Sequence, residues 1–198
     1  MTMIAPTRSL AENLASDKPL LRFAWYALLA VGGTLLLTLS AKTKVFLGPV
    51  DLSLQTLAVF AIAATFGMRL GVATLLLYMA EGMMGLPVFQ GTPEKGLGIA
   101  YMMGSTGGYL AGFVVAAAIV GWAADRGWDR SVGKMFAAVL TAEVLMMALG
   151  FAWLATLIGA EKSWQFGVVP FIAGDLIKVA LASTLVPALW AVLRKLRG

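Results

Sequence analysis

Apolar runs of near-bilayer length follow one another along this chain, separated by short polar or Gly/Pro punctuation. Six stand out: Phe23 to Ser40, Leu52 to Met68, Leu70 to Leu86, Met103 to Ala124, Val132 to Ile158 and Val168 to Leu193. A spanning helix needs about 20 apolar residues, so the pattern predicts an all-α integral membrane protein, a bundle of six transmembrane helices. The second and third runs meet at Gly67, Met68, Arg69 and Leu70, a connection short enough to force an antiparallel hairpin. With six crossings both termini lie on one side.

Basic residues choose that side. With cytoplasmic termini, ten Lys and Arg residues face the cytoplasm, among them Arg69, Arg126, Arg130 and Arg194, while Lys42, Lys44, Lys95 and Lys162 face outward. Lys and Arg in short loops set orientation, so both termini are expected inside the cell, in the plasma membrane. Residues 1–21 read as a cytoplasmic N-terminal lead with no cleavable signal, and residues 22–198 as the transmembrane domain. Two outward connections, Ala41 to Asp51 with Gly48 and Pro49, and Pro87 to Met102 with Pro93, are long for a compact bundle and are expected to act as lids.

Composition narrows the chemistry. The chain of 198 residues is 60% hydrophobic and 13% charged, with neither Cys nor His. Disulfides, thiolate metal sites and the commonest general base and metal ligand are therefore absent, and no metal or cofactor site is expected. The net charge of +5 belongs to membrane topology rather than to nucleic acid. There is no G-x-x-x-x-G-K-[ST] loop to hold a nucleotide, and an enzyme is not expected.

Charges inside the apolar runs carry the functional signal, because an ionised side chain at membrane depth costs about 2.5 to 3.5 kcal/mol on insertion scales. In the sixth run Asp175 and Lys178 stand three apart, on one face of a helix, in its outward half. Glu81 falls near the outer end of the third run, where it would line a cavity. Glu143, nearer the cytoplasmic half of the fifth, reads as structural or partner-facing. Ser105-Thr106-Gly107-Gly108-Tyr109 opens the fourth run, where glycines and hydroxyls would let main-chain N–H groups approach a polar ligand. Ala24, Ala27, Ala30 and Gly33 keep one side of the first helix thin, for packing within the bundle or docking of another membrane protein.

Four stretches taken together resemble one family. Leu54-Gln55-Thr56-Leu57, Gly85-Leu86-Pro87-Val88-Phe89, Ser105-Thr106-Gly107-Gly108-Tyr109 and Gly174-Asp175-Leu176-Ile177-Lys178 occur in the order seen in the BioY family, the biotin-binding S components of energy-coupling factor transporters. Ser105 stands where that family usually has Pro, and the small residues of the first helix step by three where S components often show Ala-x-x-x-Ala. The resemblance implies a biotin pocket near the external side, capped by the two long loops. It also implies a transmembrane coupling subunit and two cytoplasmic ATPases as partners.

A biotin molecule offers two ureido N–H donors, a ureido carbonyl, an apolar ring and chain, and a carboxylate. Asp175 can accept from a ureido N–H, and Lys178 can donate to the ureido carbonyl or pair with the carboxylate. Gln90, Tyr101, Tyr109 and Gln55 are secondary polar candidates, with Phe89 as an apolar wall. Two alternatives remain open: an autonomous ion-coupled carrier of a small organic anion, and an S component for a different vitamin.

Overall fold

The computed structural model describes residues 9–46 and 51–197. In chain order the elements are α1 (Leu10–Asn13), α2 (Pro19–Lys42), β1 (Lys44–Phe46), β2 (Asp51–Ser53), α3 (Gln55–Met83), α4 (Gly98–Met102), α5 (Gly107–Asp125), a 3-10 turn (Trp128–Arg130), α6 (Val132–Ile158), α7 (Ala160–Ser163), a π-helical turn (Trp164–Val168) and α8 (Ile172–Arg197). Among the described residues five helices are long and apolar enough to cross a membrane: α2, α3, α5, α6 and the stretch Ile172–Val192 of α8. The chain is a multi-pass membrane protein.

The second and third predicted runs appear as the single element α3, broken at Gly67, where the backbone leaves helical geometry (φ 77, ψ 178). A side chain rarely adopts such a φ, and glycine does so freely. The chain doubles back there: a Cβ on Gly71 would lie 3.3 Å from the Ala63 Cα, eight residues earlier. Asp125, at the end of α5, accepts from the Met68 N–H at 3.1 Å and so satisfies a donor that the break exposes.

Several predicted ends move inward. Leu52 and Ser53 belong to β2, which pairs antiparallel with β1 in the register Lys44↔Ser53 and Phe46↔Asp51. Gly48 and Pro49 of the first loop lie outside the described residues. Met103 to Thr106 precede α5, and Val168 to Phe171 precede α8. Apolarity continued through these segments, but main-chain pairing and tight turns took them out of the helices.

α5 lies at the centre, packed between α3 and α6. Its contact with α6 is close because Gly108 has no side chain: a Cβ there would stand 2.4 Å from the Leu149 carbonyl oxygen. Small residues let helices approach and gain dispersion energy, which drives association where lipid removes any hydrophobic incentive. α2 is attached along one seam, where Thr34 donates to Glu81 at 2.9 Å. Glu81 is thus a partner in the α2–α3 seam and lines none of the cavities described below, contrary to expectation.

Two features close the ends. Ser9 caps α1, accepting from the Glu12 N–H at 3.4 Å, and Trp25 donates to the Ala11 carbonyl at 3.2 Å. The segment just before α2 is therefore folded onto the bundle, with Leu10 and Ala11 buried. In the 3-10 turn, Asp129 is fully buried and accepts from the Trp190 indole of α8, while the Arg130 guanidinium stacks 4.5 Å from the centroid of the same ring. Burial pushes the Asp129 carboxyl up to about 6, against the opposing effects of the Trp190 hydrogen bond and the Arg130 charge.

Candidate functional site

α8 begins at Ile172, so Asp175 lies in its first turn, where a negative charge meets the positive end of the helix dipole. One turn on, Lys178 Nζ donates to Asp175 Oδ1 at 2.9 Å. The two residues are only 5% and 7% exposed, so the pair is shielded from lipid and water alike. Asp175 keeps a second oxygen and Lys178 further donors for a ligand.

Both face a cavity of about 120 Å³. Ser53, Gln55 and Thr56 wall it from β2 and the start of α3, Phe89 and Gln90 from the loop after α3, Tyr101 from α4, Thr106, Tyr109, Leu110 and Phe113 from α5 and its approach, Met146 and Met147 from α6, and Phe171 from the entry to α8. All seven residues proposed from sequence as ligand contacts (Asp175, Lys178, Gln90, Tyr109, Tyr101, Gln55 and Phe89) therefore line one space. It adjoins a wider cavity of about 920 Å³, which shares Gln90, Tyr101, Thr106, Tyr109 and Phe171 and adds Lys42, Glu94 and Lys95.

The walls are fixed by one another. Gln55 donates to the Tyr78 hydroxyl at 3.0 Å, and that hydroxyl donates to the Val88 carbonyl at 2.7 Å. This buried relay anchors the loop after α3 to the helix beneath it. The adjacent Phe89 stacks on Tyr101 with centroids 5.2 Å apart and 14° between planes, and meets the edge of Tyr78 at 5.3 Å. Gly82 makes room for it, since a Cβ there would fall 2.1 Å from Phe89 Cζ. Tyr109 donates to the Gly167 carbonyl at 2.7 Å, joining α5 to the π-helical turn, the kind of local irregularity that clusters at functional sites.

Sequence reasoning did not pick out Ser53, Thr56 and Phe171, and it reached Thr106 only as part of the Ser105–Tyr109 stretch. Thr56 Oγ1 is buried without a hydrogen-bond partner, which suits a cavity whose occupant supplies one. Its position in Leu54-Gln55-Thr56-Leu57, beside Gln55, was the available signal. The glycines of Ser105-Thr106-Gly107-Gly108-Tyr109 do a different job from the one expected: Gly107 packs under Trp153 and Gly108 against the α6 backbone. Glu143 is not partner-facing. It is buried near the middle of α6 beside Asp175. On α2, Ala24 and Ala27 are exposed and Ala30 half-buried, but Gly33 is buried against α3, where a Cβ would meet Thr74 Cγ2 at 2.6 Å. Gly33 therefore belongs to internal packing, which corrects its place in an outward docking face.

The arrangement can bind a small molecule that is flat or apolar along most of its length, with donors for a carboxylate and acceptors for an ammonium and hydroxyls. Among the described residues no group of three or more Asp or Glu side chains is placed to hold a metal ion. The sequence model of the BioY family matches residues 14–195. The chain belongs to the BioY family.

Relatives within the family include a probable biotin transporter BioY of Pyrococcus horikoshii, 35% identical over 147 residues, covering 74% of this chain and 85% of the relative. The biotin transporter BioY of Thermotoga maritima is 34% identical over 151 residues, covering 76% and 86%. In architecture the chain is similar to the crystal structure of the S-component for biotin from an ECF-type ABC transporter. That likeness has a TM-score of 0.74 at 20% identity, covering 89% of this chain and 95% of the other. These BioY relatives are named as transporters, and the fold is that of an S component.

Proposed function

We propose that this chain captures biotin from outside the cell as the substrate-binding S component of an ECF-type ABC transporter. The buried Asp175–Lys178 pair at the end of an aromatic-walled cavity carries this reading. One ion pair presents an acceptor for a ureido N–H and a donor for a ureido carbonyl within hydrogen-bonding reach of each other, and the stacked Phe89 and Tyr101 suit the apolar ring and chain. Gln90, Tyr109, Tyr101 and Gln55 are the further polar contacts, and Thr56 joins them. The names of the relatives support the choice of vitamin.

In this reading the hairpin at Gly67 makes α3 two crossings, giving six in all, with both termini cytoplasmic in the plasma (inner) membrane and the cavity opening outward. Residues 1–21 are the cytoplasmic lead, although residues 9–13 pack on the bundle, and residues 22–198 form the biotin-binding domain. The loop over the cavity serves as its lid. Energy for accumulation comes from two partner ATPases through a transmembrane coupling subunit that docks on α2 around Ala24, Ala27 and Ala30. No cofactor and no nucleic acid takes part.

Calorimetric titration of the purified protein with biotin tests the ligand, and reconstitution in vesicles tests the partners. The protein alone should bind biotin one to one, and concentrative uptake should require ATP and the coupling complex. Failure to bind biotin, or concentrative uptake by the lone chain that an uncoupler abolishes, would overturn the proposal, the latter in favour of an ion-coupled carrier.

A further inference from the structure

Behind the Asp175–Lys178 pair lies a third cavity, about 390 Å³, between α6 and α8. Apart from Glu143 and Asp175 its walls are hydrocarbon and aromatic, among them Leu140, Met147, Phe151 and Val179. Asp175 and Met147 border both this cavity and the proposed biotin cavity, and Asp175 is the charged part of that shared wall. Glu143 is 6% exposed, and neither of its carboxyl oxygens receives a hydrogen bond.

An ionised carboxylate out of water with no donor is among the most costly arrangements a protein can hold, and one beside a second carboxylate adds repulsion. Asp175 has the Lys178 ammonium at 2.9 Å to offset its charge; Glu143 has no such partner of its own. The charged groups that act on Glu143 are Asp175 and Lys178, both from α8. From α5, Tyr109 lies near Asp175 rather than Glu143, and its hydroxyl is committed to the Gly167 carbonyl. Among these neighbours, the carboxylate that can accept a hydrogen bond from a protonated Glu143 is that of Asp175.

We propose that Glu143 is the positioning residue of the binding pair: it carries a proton, donates it in a hydrogen bond to Asp175, and so holds that carboxylate turned toward Lys178 and the ligand. The residue acts through Asp175 and does not touch biotin. Asp175, clamped from the α8 side by Lys178 and from the α6 side by Glu143, is preorganised for a ureido N–H. This deepens the ligand-site reading above and rests on it.

Two substitutions separate positioning from packing. Glu143→Gln keeps a donor of the same shape, and Glu143→Leu fills the space but cannot donate. In calorimetric titrations E143Q should bind biotin within about threefold of the parent, whereas E143L should bind about tenfold more weakly, the size of one lost hydrogen bond. The E143L melting temperature should change little, since burying a leucine of similar volume offsets the one hydrogen bond lost. Infrared difference spectra of the ligand-free protein provide a second readout: a protonated-carboxyl carbonyl band should be present in the parent and absent from E143Q. Parent-like binding by E143L, equal weakening in both variants, or no such band would overturn the assignment. Should E143L fail to fold, the infrared comparison decides alone. Absence of biotin binding by the parent would sink the ligand assignment, and the infrared band would still report on the Glu143 proton.

Discussion

Lys42, the last residue of α2 and part of the wall of the wider cavity, donates to the main-chain carbonyl of Phe89 at 2.7 Å. The same ammonium reaches the Thr92 carbonyl and the Thr92 hydroxyl at 3.0 Å. A single side chain from one helix thus straps the loop that carries Phe89 and Gln90. Hydrogen bonds from a charged donor are about twice as strong as neutral ones, so the strap should govern how long a ligand stays. Lys42→Met should raise amide exchange across Val88 to Lys95 and speed biotin dissociation by about tenfold, with association little changed. Stopped-flow measurement of both rates checks this, and an unchanged dissociation rate would remove the strap from the mechanism.

Removing either member of the buried pair should be costly. Asp175→Ala leaves the Lys178 ammonium buried without its partner, and Lys178→Ala leaves the carboxylate in the same position. Each should weaken biotin binding by roughly 2 to 5 kcal/mol. Calorimetric titration of the folded variants decides, and affinity equal to the parent would make the pair structural.

Asp129 predicts a pH dependence of stability. Its carboxyl stands at about 6 in the folded protein against an ordinary 3.8, so the fold holds its proton more tightly than the unfolded chain does. The contribution of this group is therefore fullest below about pH 4, is lost as pH rises toward 6, and is flat above. Asp129→Asn can still accept from the Trp190 indole and should abolish that slope, which amounts to on the order of 2 to 3 kcal/mol. Unfolding in detergent at several pH values, parent against variant, measures the difference, and superimposable slopes would refute it.

Gly67→Ala should destabilise by two separable routes. A Cβ there would fall 2.2 Å from Asp125 Oδ1, and the positive φ is itself strained for alanine by about 1 kcal/mol or more. Asp125→Ala in the same chain should relieve the clash but not the strain. A double-mutant cycle on melting would show partial rescue, and full rescue would mean that the backbone conformation costs nothing.

Periodicity and burial explain which parts of this molecule were legible in the sequence. Asp175 and Lys178 were readable as a pair because a helix places residues three apart on one face, a local rule that holds whatever surrounds it. Gln55, Phe89 and Tyr109 were reached through family resemblance, since nothing local joins residues so far apart in the chain. Glu143 was read as a structural or partner-facing acid because its meeting with Asp175 depends on which faces of α6 and α8 turn together. Gly33 went astray for the same reason: a spacing of three names a stripe, but Thr74 on α3 decides that one end of the stripe is inside. The helix ends were overrun because Leu52 and Met103 are as apolar as the helices they adjoin, and hydropathy does not register where main-chain hydrogen bonds change partner.

The turn at Gly67 also bears on how the protein enters its membrane. Gln55 to Phe66 is 12 residues and Met68 to Met83 is 16, about 18 and 24 Å of helix at about 1.5 Å per residue. Neither half matches the hydrocarbon thickness of about 30 Å, and a short helix inserted singly would leave polar main chain facing lipid. The two halves are suited to partition into the bilayer as one prefolded hairpin, in a single insertion event. At that end the chain continues as the β1–β2 ribbon and the loop bearing the buried Phe89. On the proposed six-crossing topology, that truncated depth gives a polar vitamin room to descend among the helices.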